Sequence, residues 1–341
     1  MEIRAALARL AEGKHLTQEE TRNVFRLVMS GEATPAQIGG MLMAMRVKGE
    51  TAEEIAGAAE TMRALSTRVE VDVPYLVDTC GTGGSGGAKL FNISTAAAFV
   101  AAAAGARVAK HGNRKMSSAS GSADVLEAAG VNLALDPAQV ARCISEVGVG
   151  FLFAQAHHSA MRFAAPVRQE LGVRTMMNLL GPLTNPAGAR RQVLGVFSPV
   201  WQETMARVLK LLGAEHVLVV HSNGLDEISL EGGTYVVELH HGRIDGYEIR
   251  PEDFGIRTRN VEALRADSPQ ASLVLVRQAL NEPDSAAADI VSMNAGAAIY
   301  ASGVATSLKN GVSMAQDAIA AGLANERFEE FVRITSLMGE S

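Results

Sequence analysis

One glycine-rich segment has the residue types of a phosphate-binding loop. Residues Gly81–Gly87 read GTGGSGG and follow an apolar run, Tyr75–Val77, that is typical of a short strand. Glycines let the backbone approach an anion and direct successive N–H groups at it. Residues Asn92–Thr95 (NIST) then open a helix, whose N-terminus favours negative charge. The segment matches neither the dinucleotide fingerprint nor the Walker pattern. We predict a phosphate-binding loop; the alternative is a flexible turn with a Ser/Thr cap.

A second loop combines cations with hydroxyl groups directly after the next predicted strand. It begins with Lys110–Arg114 (KHGNR), and four serines follow at Ser117, Ser118, Ser120 and Ser122. Neighbouring parallel strands end at one edge of a sheet, where open α/β sheets bind ligands. The loop therefore predicts a second phosphate contact beside the first, with a solvated basic turn as the alternative. Ser122 with Asp124 also has the pattern of a helix start.

An acidic pair, Asp226 and Glu227, lies in the turn GLDE after the apolar run Val217–Val220. Adjacent carboxylates repel each other, and a loop tolerates both best when a cation lies between them. Oxygen ligands beside a phosphate favour Mg²⁺. The turn therefore predicts a magnesium site, and the alternative is an ordinary solvated turn.

Three arginines, Arg162, Arg168 and Arg174, lie in the stretch from residue 156 to residue 186. A guanidinium binds a carboxylate through two parallel N–H bonds, so one of them is expected to hold an acidic substrate. The alternative is a set of surface helix arginines. His157 and His158 are adjacent and would not share a helix face, which argues against a metal site there.

These motifs require a parallel sheet, preceded here by a helical segment. Capping boxes at Thr17/Glu20, Thr34/Gln37 and Thr51/Glu54 predict short helices in the first 66 residues. After Val71, apolar runs alternate with helical segments, which predicts an α/β fold. We expect a small N-terminal all-helical domain (1–68 plus part of 156–186) and a larger α/β domain (71–155 and 187–341), with a mostly parallel central sheet flanked by helices. The expected strands after the first are Val108–Ala109, Leu133–Leu135, Gly150–Phe153, Val193–Phe197 and Val217–Val220, and Tyr235–Ile249 is expected to form an antiparallel hairpin.

The composition favours a protein that acts on small molecules. The formal charge is −6 in 341 residues, and basic residues are spread along the chain. This argues against nucleic-acid or anionic-lipid partners. The two cysteines, Cys80 and Cys143, are far apart, which fits a reducing compartment. The N-terminus lacks the pattern of a secretory signal, and the longest apolar stretch, Ala96–Ala106, is too short to span a membrane. A cytoplasmic location is expected.

Taken together, four motifs resemble the anthranilate phosphoribosyltransferase family. They are GTGG with FNIST, KHGNR with SSASGSADVLEAAG, APVRQELGVRTMMNLLGPLTNP, and GLDEIS, and they occur in the family's order over nearly the whole chain. The resemblance implies a helical domain plus an α/β domain, a homodimer formed through the helical part, and Mg²⁺. It also implies transfer of the phosphoribosyl group from 5-phosphoribosyl 1-diphosphate to anthranilate, in tryptophan biosynthesis.

The resemblance assigns roles to individual residues. Lys110, Asp226 and Glu227 are expected to be catalytic, and Ser94, Asp226 and Glu227 to hold magnesium. Asn113 and Arg168 are expected to contact anthranilate, and Arg168 is expected to bind the carboxylate of anthranilate. The expected contacts to the diphosphate sugar are Gly81, Gly84, Ser85, Asn92, Ser94, Thr95, Lys110, Ser118 and Ser122.

The first loop departs from the family pattern. The family usually has Asp after GTGG, and this chain has Ser85, followed by a loop that is one residue longer. That Asp normally helps hold a second magnesium ion, so we expect weaker binding of that ion here. Three alternatives remain: the same chemistry on another aromatic acid, a nucleoside phosphorylase on the same fold, and a non-catalytic relative that binds nucleic acid or protein. The acidic pair and the negative charge speak against the last one.

Overall fold

The computed structural model describes residues 1–83, 90–114 and 120–339. Its first part is all-helical, with α1 (Ile3–Ala11), α2 (Gln18–Met29), α3 (Pro35–Lys48) and α4 (Ala52–Ala64). In each of the three predicted capping boxes, the threonine hydroxyl accepts from the backbone N–H three residues on, and the Glu or Gln side chain accepts from the threonine N–H. The predicted caps at Thr17, Thr34 and Thr51 are therefore confirmed.

A seven-stranded sheet follows, in the order β3-β2-β1-β4-β5-β6-β7. Strands β1 to β5 are parallel, and β6 and β7 add an antiparallel hairpin at one edge. The prediction of a mostly parallel sheet is confirmed. The strands are β1 (Leu76–Gly81), β2 (Arg107–Gly112), β3 (Val149–Phe153), β4 (Arg191–Gly195), β5 (His216–His221), β6 (Thr234–His240) and β7 (Arg243–Ile249).

Eleven further helices are described in this part of the chain. They are α5 (Ile93–Ala103), α6 (Ser122–Ala128), α7 (Pro137–Glu146), α8 (Ala154–His157), α9 (Ala165–Leu171), α10 (Met177–Leu180), α11 (Val200–Leu211), α12 (Pro269–Asn281), α13 (Ala286–Ser302), α14 (Leu308–Ala320) and α15 (Leu323–Met338). Short 3₁₀ turns lie at Ser159–Phe163, Gly181–Leu183, Pro251–Phe254 and Glu262–Leu264. None of the described helices is long and apolar enough to cross a membrane.

The expected strand at Leu133–Leu135 is wrong. These residues form an irregular connection between α6 and α7, and no described strand pairs with them. Leu133 and Leu135 instead pack their side chains against the apolar core. Apolar side chains in a connection that crosses the core produce the same pattern as a short strand.

The two faces of the sheet bury two large apolar clusters, and a smaller one lies around Ala109 and Leu152 of β2 and β3. Along β5, Leu218 and Val220 join the cluster beneath α5 and α13, whereas Val217 and Val219 join the cluster that contains α11 and helices α1–α4. Alternate side chains of a strand point to opposite faces, which accounts for this division. Several apolar residues between 164 and 183 also belong to the second cluster. The domain boundaries drawn from the sequence remain a prediction.

Candidate active site

A buried lysine joins the ends of two neighbouring strands to the start of a helix. Lys110 on β2 is 3% exposed. Its Nζ donates to the carbonyl oxygen of Thr79 on β1 at 2.5 Å and to Oγ of Ser94 in α5 at 3.2 Å. Ser94 lies in the first turn of α5, where unpaired backbone N–H groups favour an anion. The sequence placed these two residues in separate motifs, and the parallel pairing of β1 and β2 brings them together.

The acidic turn after β5 lies against the ends of β1 and β4. Asp226 Oδ2 accepts a hydrogen bond from the Gly83 backbone N–H at 2.9 Å. Asp226 approaches the ends of β1 and β4 so closely that each strand must end in a glycine, at Gly81 and Gly195. An added Cβ at Gly81 would lie 2.6 Å from Asp226 Oδ2, and one at Gly195 would lie 1.7 Å from the Asp226 carbonyl oxygen. The motif reading did not single out Gly195, because its role depends on β4 lying between β1 and β5.

The carboxylates of this turn create an electrostatic conflict. Burial and then the neighbouring charge of Asp226 raise the pKa of Glu227 to about 8, although Lys110 and hydrogen bonds from Ser94 partly oppose both effects. A small cavity is lined by both acids, Ser94, Thr79 and Cys80. Burial likewise raises the pKa of the Cys80 thiol, which argues against a thiolate nucleophile there.

This donor set fits Mg²⁺. Two carboxylates and a hydroxyl are hard oxygen ligands, and Mg²⁺ prefers oxygen ligands, usually a carboxylate or two together with a substrate phosphate. A divalent cation between Asp226 and Glu227 would also relieve the repulsion that raises the pKa of Glu227. The three predicted metal residues, Ser94, Asp226 and Glu227, therefore lie around one cavity. Which of them coordinate the ion remains a prediction.

Comparisons with known proteins match this arrangement over the whole chain. Residues 4–66 match the family described as "Glycosyl transferase family, helical bundle domain", and residues 73–325 match "Glycosyl transferase family, a/b domain". The anthranilate phosphoribosyltransferase of Cellvibrio japonicus is 56% identical over 99% of this chain and 100% of its own length. That of Hahella chejuensis is 55% identical over 100% of this chain and 99% of its own.

Solved structures agree with the sequence comparisons. The crystal structure of anthranilate phosphoribosyltransferase from Thermus thermophilus is 47% identical with a TM-score of 0.92, covering 97% of this chain and 99% of its own. The enzyme from Saccharomyces cerevisiae in complex with PRPP and Mg is 25% identical with a TM-score of 0.88, covering 98% of each chain. The chain belongs to the anthranilate phosphoribosyltransferase family. The resemblance found in the motifs is confirmed.

The family's acidic turn is held in place here by an asparagine that motif analysis did not identify. Asn294 on α13 is 3% exposed. Its Oδ1 accepts from the Ile228 N–H at 2.9 Å, and its Nδ2 donates to the Ile228 carbonyl at 2.9 Å. Ile228 directly follows Glu227, so this clamp fixes the backbone of the turn. A polar residue in the alanine-rich run 286–301 was the available signal, since a buried amide requires partners.

Asn92 links the start of α5 to the second loop. Its backbone N–H donates to Ser272 Oγ at 3.0 Å, and Ser272 Oγ donates to Asn92 Oδ1 at 2.7 Å. The Asn92 amide Nδ2 donates to the Ser120 carbonyl at 3.3 Å. Thr95, 1% exposed, has an Oγ1 without a hydrogen-bond partner among the described residues. Contacts of Asn92 and Thr95 with a ligand remain predictions.

Ser122 has a different local role from the one that we predicted. Gly121 caps α6, and its N–H donates to Asp124 Oδ2 at 2.9 Å. Ser122 is the first helical residue, and its hydroxyl donates to the Asn113 carbonyl at 3.4 Å. The predicted helix start is confirmed, but the N-cap is Gly121 and not Ser122, because Asp124 bonds the Gly121 N–H. Ser122 supports the backbone of the KHGNR loop at Asn113.

Two histidines connect that loop to the segment after β3. His111 Nδ1 lies 3.0 Å from the Gly181 carbonyl oxygen, and its Nε2 lies 3.3 Å from Nε2 of His158. Burial, and then the neighbouring His158, lower the pKa of His111 to about 3. Such a weak base accepts a proton poorly at neutral pH, which argues against His111 as the group that takes up a proton during a reaction. His157 Nδ1 lies 2.7 Å from the Thr67 carbonyl oxygen, so the histidine pair faces different partners.

Arg168 is a half-buried cation on α9. No carboxylate of the described residues lies within ion-pair distance of its guanidinium, and burial lowers its pKa. The other two arginines lie over aromatic rings, Arg162 over Phe163 at 4.6 Å and Arg174 over Phe197 at 4.2 Å. Burying a cation without an acidic partner is costly. This favours Arg168 as the arginine kept for an anionic ligand.

Three predicted contact residues lie outside the described part of the chain: Gly84, Ser85 and Ser118. The described positions form two connected groups. Gly81, Ser94, Lys110, Asp226 and Glu227 meet around the cavity or its rim, and Asn92, Asn113 and Ser122 support the second loop. Arg168 lies on α9, at the side of the helical cluster.

Proposed function

We propose that the chain transfers the phosphoribosyl group of 5-phosphoribosyl 1-diphosphate to anthranilate, in tryptophan biosynthesis. The bond from ribose C1 to the diphosphate oxygen breaks, a bond from C1 to the anthranilate nitrogen forms, and that nitrogen loses a proton. The observation that carries the proposal is the joining of the Lys110 cation, the start of α5 and the Asp226–Glu227 turn at one sheet edge. The Thermus thermophilus relative, with a TM-score of 0.92, shares this fold.

The residues of the site act mainly on the leaving group. Negative charge develops on the diphosphate as C1 becomes cationic, and prearranged donors in a partly buried site stabilise that charge. Lys110 supplies a fixed positive charge, and Ser94 and the first turn of α5 supply hydroxyl and N–H donors. Magnesium, held by Asp226 and Glu227 with Ser94, would neutralise diphosphate charge when bound. Anthranilate's amine is neutral at pH 7, so no base is required before it attacks.

Arg168 would hold the acceptor by its carboxylate, with Asn113 as a second contact. Aligning two reactants can lower a barrier by about 7–11 kcal/mol at best. A carboxylate clamp at Arg168 would fix the position of the aromatic amine relative to C1. The absence of a described acidic partner for Arg168 supports this role.

The test is diphosphate release measured with anthranilate and with a panel of other substituted benzoates. We expect release with anthranilate to be fastest and benzoate without an amine to give none. Faster diphosphate release with a different aminobenzoate than with anthranilate would support the alternative acceptor. Release of a free base from a nucleoside and phosphate, with no diphosphate formed, would overturn the proposal in favour of a nucleoside phosphorylase.

Ser85 is proposed to weaken the second magnesium site, because Asp usually stands at this position in the family. A Ser85→Asp variant should reach its maximal rate at lower Mg²⁺ than the wild type. Rate is measured against Mg²⁺ for both proteins at saturating substrates. Superimposable curves for wild type and Ser85→Asp would contradict the proposal.

We further propose a cytoplasmic homodimer joined through the helical part. Both cysteines are free thiols, which suits a reducing compartment. On the helical part, Val47 is 82% exposed and Leu65 is 43% exposed. The domain division into 1–68 with part of 156–186, and 71–155 with 187–341, belongs to the same proposal. Sedimentation equilibrium measures the assembly directly, and a monomer at all concentrations would contradict it.

A further inference from the structure

A cluster of metal-ligating side chains lies outside the active site. It consists of His216, Glu238 and His240, here called the histidine–glutamate cluster. His216 Nε2 lies 2.7 Å from Glu238 Oε1, and His240 Nδ1 lies 3.9 Å from the same oxygen. One ligand atom from each of the three residues lies within 4.8 Å of the other two.

The hairpin register places these three residues on one face of the sheet. His216 begins β5 and pairs directly with His240 at the end of β6. Glu238 lies two residues before His240, so both side chains point to the same face. That face is covered by α13, whose Tyr300 contacts the His216 ring edge-on with centroids 4.6 Å apart. His216 is the first residue of β5, whereas the acidic turn follows the C-terminal end of that strand. The cluster therefore lies at the edge of the sheet where the parallel strands begin, opposite the active site.

We propose that the histidine–glutamate cluster binds a divalent cation of the zinc class. Two imidazole nitrogens and one carboxylate oxygen are typical zinc ligands, whereas Mg²⁺ prefers oxygen alone. Zinc bonds of about 2.1 Å in tetrahedral geometry place ligand atoms about 3.4 Å apart. The observed separations of 2.7 and 3.9 Å lie on either side of that value. The cation takes the place of the contact between His216 and Glu238, and it would bind the lone pair of Nε2 of the neutral His216 imidazole, whose ring proton is then carried by Nδ1.

The surroundings of the cluster suit an ion with an open position. Tyr247 donates its hydroxyl proton to Glu238 Oε2 at 2.8 Å, which leaves Oε1 toward the histidines. Hydrogen bonds to a ligating carboxylate orient it and strengthen metal binding. The His216 side chain is 7% exposed, whereas that of His240 is 38% exposed, so solvent has access on the His240 side. Water can therefore complete a four-coordinate site.

The test is equilibrium binding of Zn²⁺ alone, with excess Mg²⁺ present to occupy oxygen-only sites. Co²⁺ in place of Zn²⁺ reports ligand number and geometry through its visible absorption. The decisive variant is His240→Asn, because this half-exposed side chain can change without disturbing the core. Its matched control is His241→Asn, an exposed neighbour outside the cluster. Asp226→Ala separates the cluster from the acidic turn of the active site.

We expect one Zn²⁺ per chain in the wild type, in His241→Asn and in Asp226→Ala. Tyr247→Phe should weaken binding about 10-fold, as loss of a supporting hydrogen bond does, and His240→Asn should weaken it more. Bound Zn²⁺ should raise the thermal unfolding midpoint of the wild type and of His241→Asn, and leave that of His240→Asn unchanged. Absence of binding, binding unaffected by His240→Asn, or binding lost in Asp226→Ala would overturn the proposal. Because the cluster lies at the other edge of the sheet, either result leaves the proposed function standing.

Discussion

At the scale of single residues, the site depends on one buried amide that is hydrogen-bonded at both ends and on one cation without an acidic partner among the described residues. Asn294 uses both ends of its amide to hold the Ile228 backbone. Arg168 has no acidic partner among the described residues. Asn294 fixes the backbone of the acidic turn in the absence of a ligand, whereas Arg168 is suited to bind an anionic ligand. The two therefore predict different kinetic consequences when they are replaced.

Replacing Arg168 by alanine should mainly weaken anthranilate saturation. Loss of a charge-assisted hydrogen bond costs about 1.5–3 kcal/mol, which corresponds to roughly 10-fold to 150-fold in KM. The measurement is the steady-state rate against anthranilate at saturating diphosphate sugar. Arg162→Ala, in the same segment, is the matched control because Arg162 lies over Phe163. An Arg168→Ala enzyme with an unaltered KM for anthranilate would refute the assignment.

Replacing Asn294 by alanine should shift the magnesium dependence of the rate to higher concentrations. The variant leaves the Ile228 N–H and carbonyl without partners in a buried position, and loosens the turn that carries Glu227. Each such loss costs about 1–3 kcal/mol of stability. Rate against Mg²⁺ is the informative measurement, since destabilisation alone would not move the curve. Ser302→Ala on the same helix removes a buried hydrogen bond far along α13 and should leave the curve in place.

At the scale of elements, strand order and loop packing assemble the site from distant segments. Strand β4 lies between β1 and β5, and its Gly195 leaves room for the Asp226 backbone. On the other side of β1, the end of β2 is tied to the segment after β3 by the contact of His111 with His158. Both histidines are buried, and burial is the largest cause of their low pKa values, about 3 for His111 and about 4 for His158.

The histidine contact predicts a loss of stability in acid. In the unfolded chain the pKa of histidine is about 6.5, well above the folded values. A folded pKa that is lowered contributes stability above pH 6.5, and that stability is lost as the pH falls toward 4. At pH 5 the loss is about 2 kcal/mol for each histidine. The measurement is urea unfolding at pH 7 and pH 5.

A His158→Gln variant should flatten this pH dependence, because one of the two groups no longer takes up a proton on unfolding. The exposed His241→Gln variant is the control and should retain the wild-type difference between the two pH values. If His158→Gln lost as much stability between pH 7 and pH 5 as the wild type, the contribution of the pair would be disproved.

At the scale of the whole molecule, the helical part and one face of the sheet share an apolar core. Helices α1–α4 belong to the same buried cluster as α11 and the alternate β5 residues Val217 and Val219. Arg63 on α4 reinforces the junction by donating to the carbonyl of Leu212, at the end of α11, at 3.5 Å. Separating the two parts would expose apolar surface on both, which is unfavourable by about 25 cal/mol per Å².

This shared core predicts that the helical part and the sheet unfold together. The single tryptophan, Trp201, lies on α11 and packs against the shared cluster, so its fluorescence reports that junction. Unfolding in guanidinium should give the same midpoint by Trp201 fluorescence and by far-ultraviolet circular dichroism. Measurements at two protein concentrations separate subunit dissociation from unfolding. An early loss of helical signal with unchanged fluorescence would contradict joint unfolding.

The sequence by itself determined the features that depend on local chemistry. Capping boxes such as Thr17 with Glu20 specify helix starts, the alternation of apolar runs with helices specifies the parallel sheet, and the motifs around Lys110 and Asp226 specify the family. Each of these signals lies within a few neighbouring residues. Composition and spacing are then sufficient, because each signal can be read within its own segment without knowing which distant segments meet.

Only the tertiary structure decided which distant residues meet. The clamp of Asn294 on Ile228, the close approach of Gly195 to Asp226, and the pairing of His216 with His240 depend on strand order, helix placement and hairpin register. A shift of one residue in register would turn Glu238 and His240 to the opposite face. Leu133–Leu135 shows the converse, since its apolar pattern was satisfied by packing against the core and not by strand pairing. Contacts between remote segments are set by how the layers pack, and a motif in one segment does not indicate which residue of another segment it will contact.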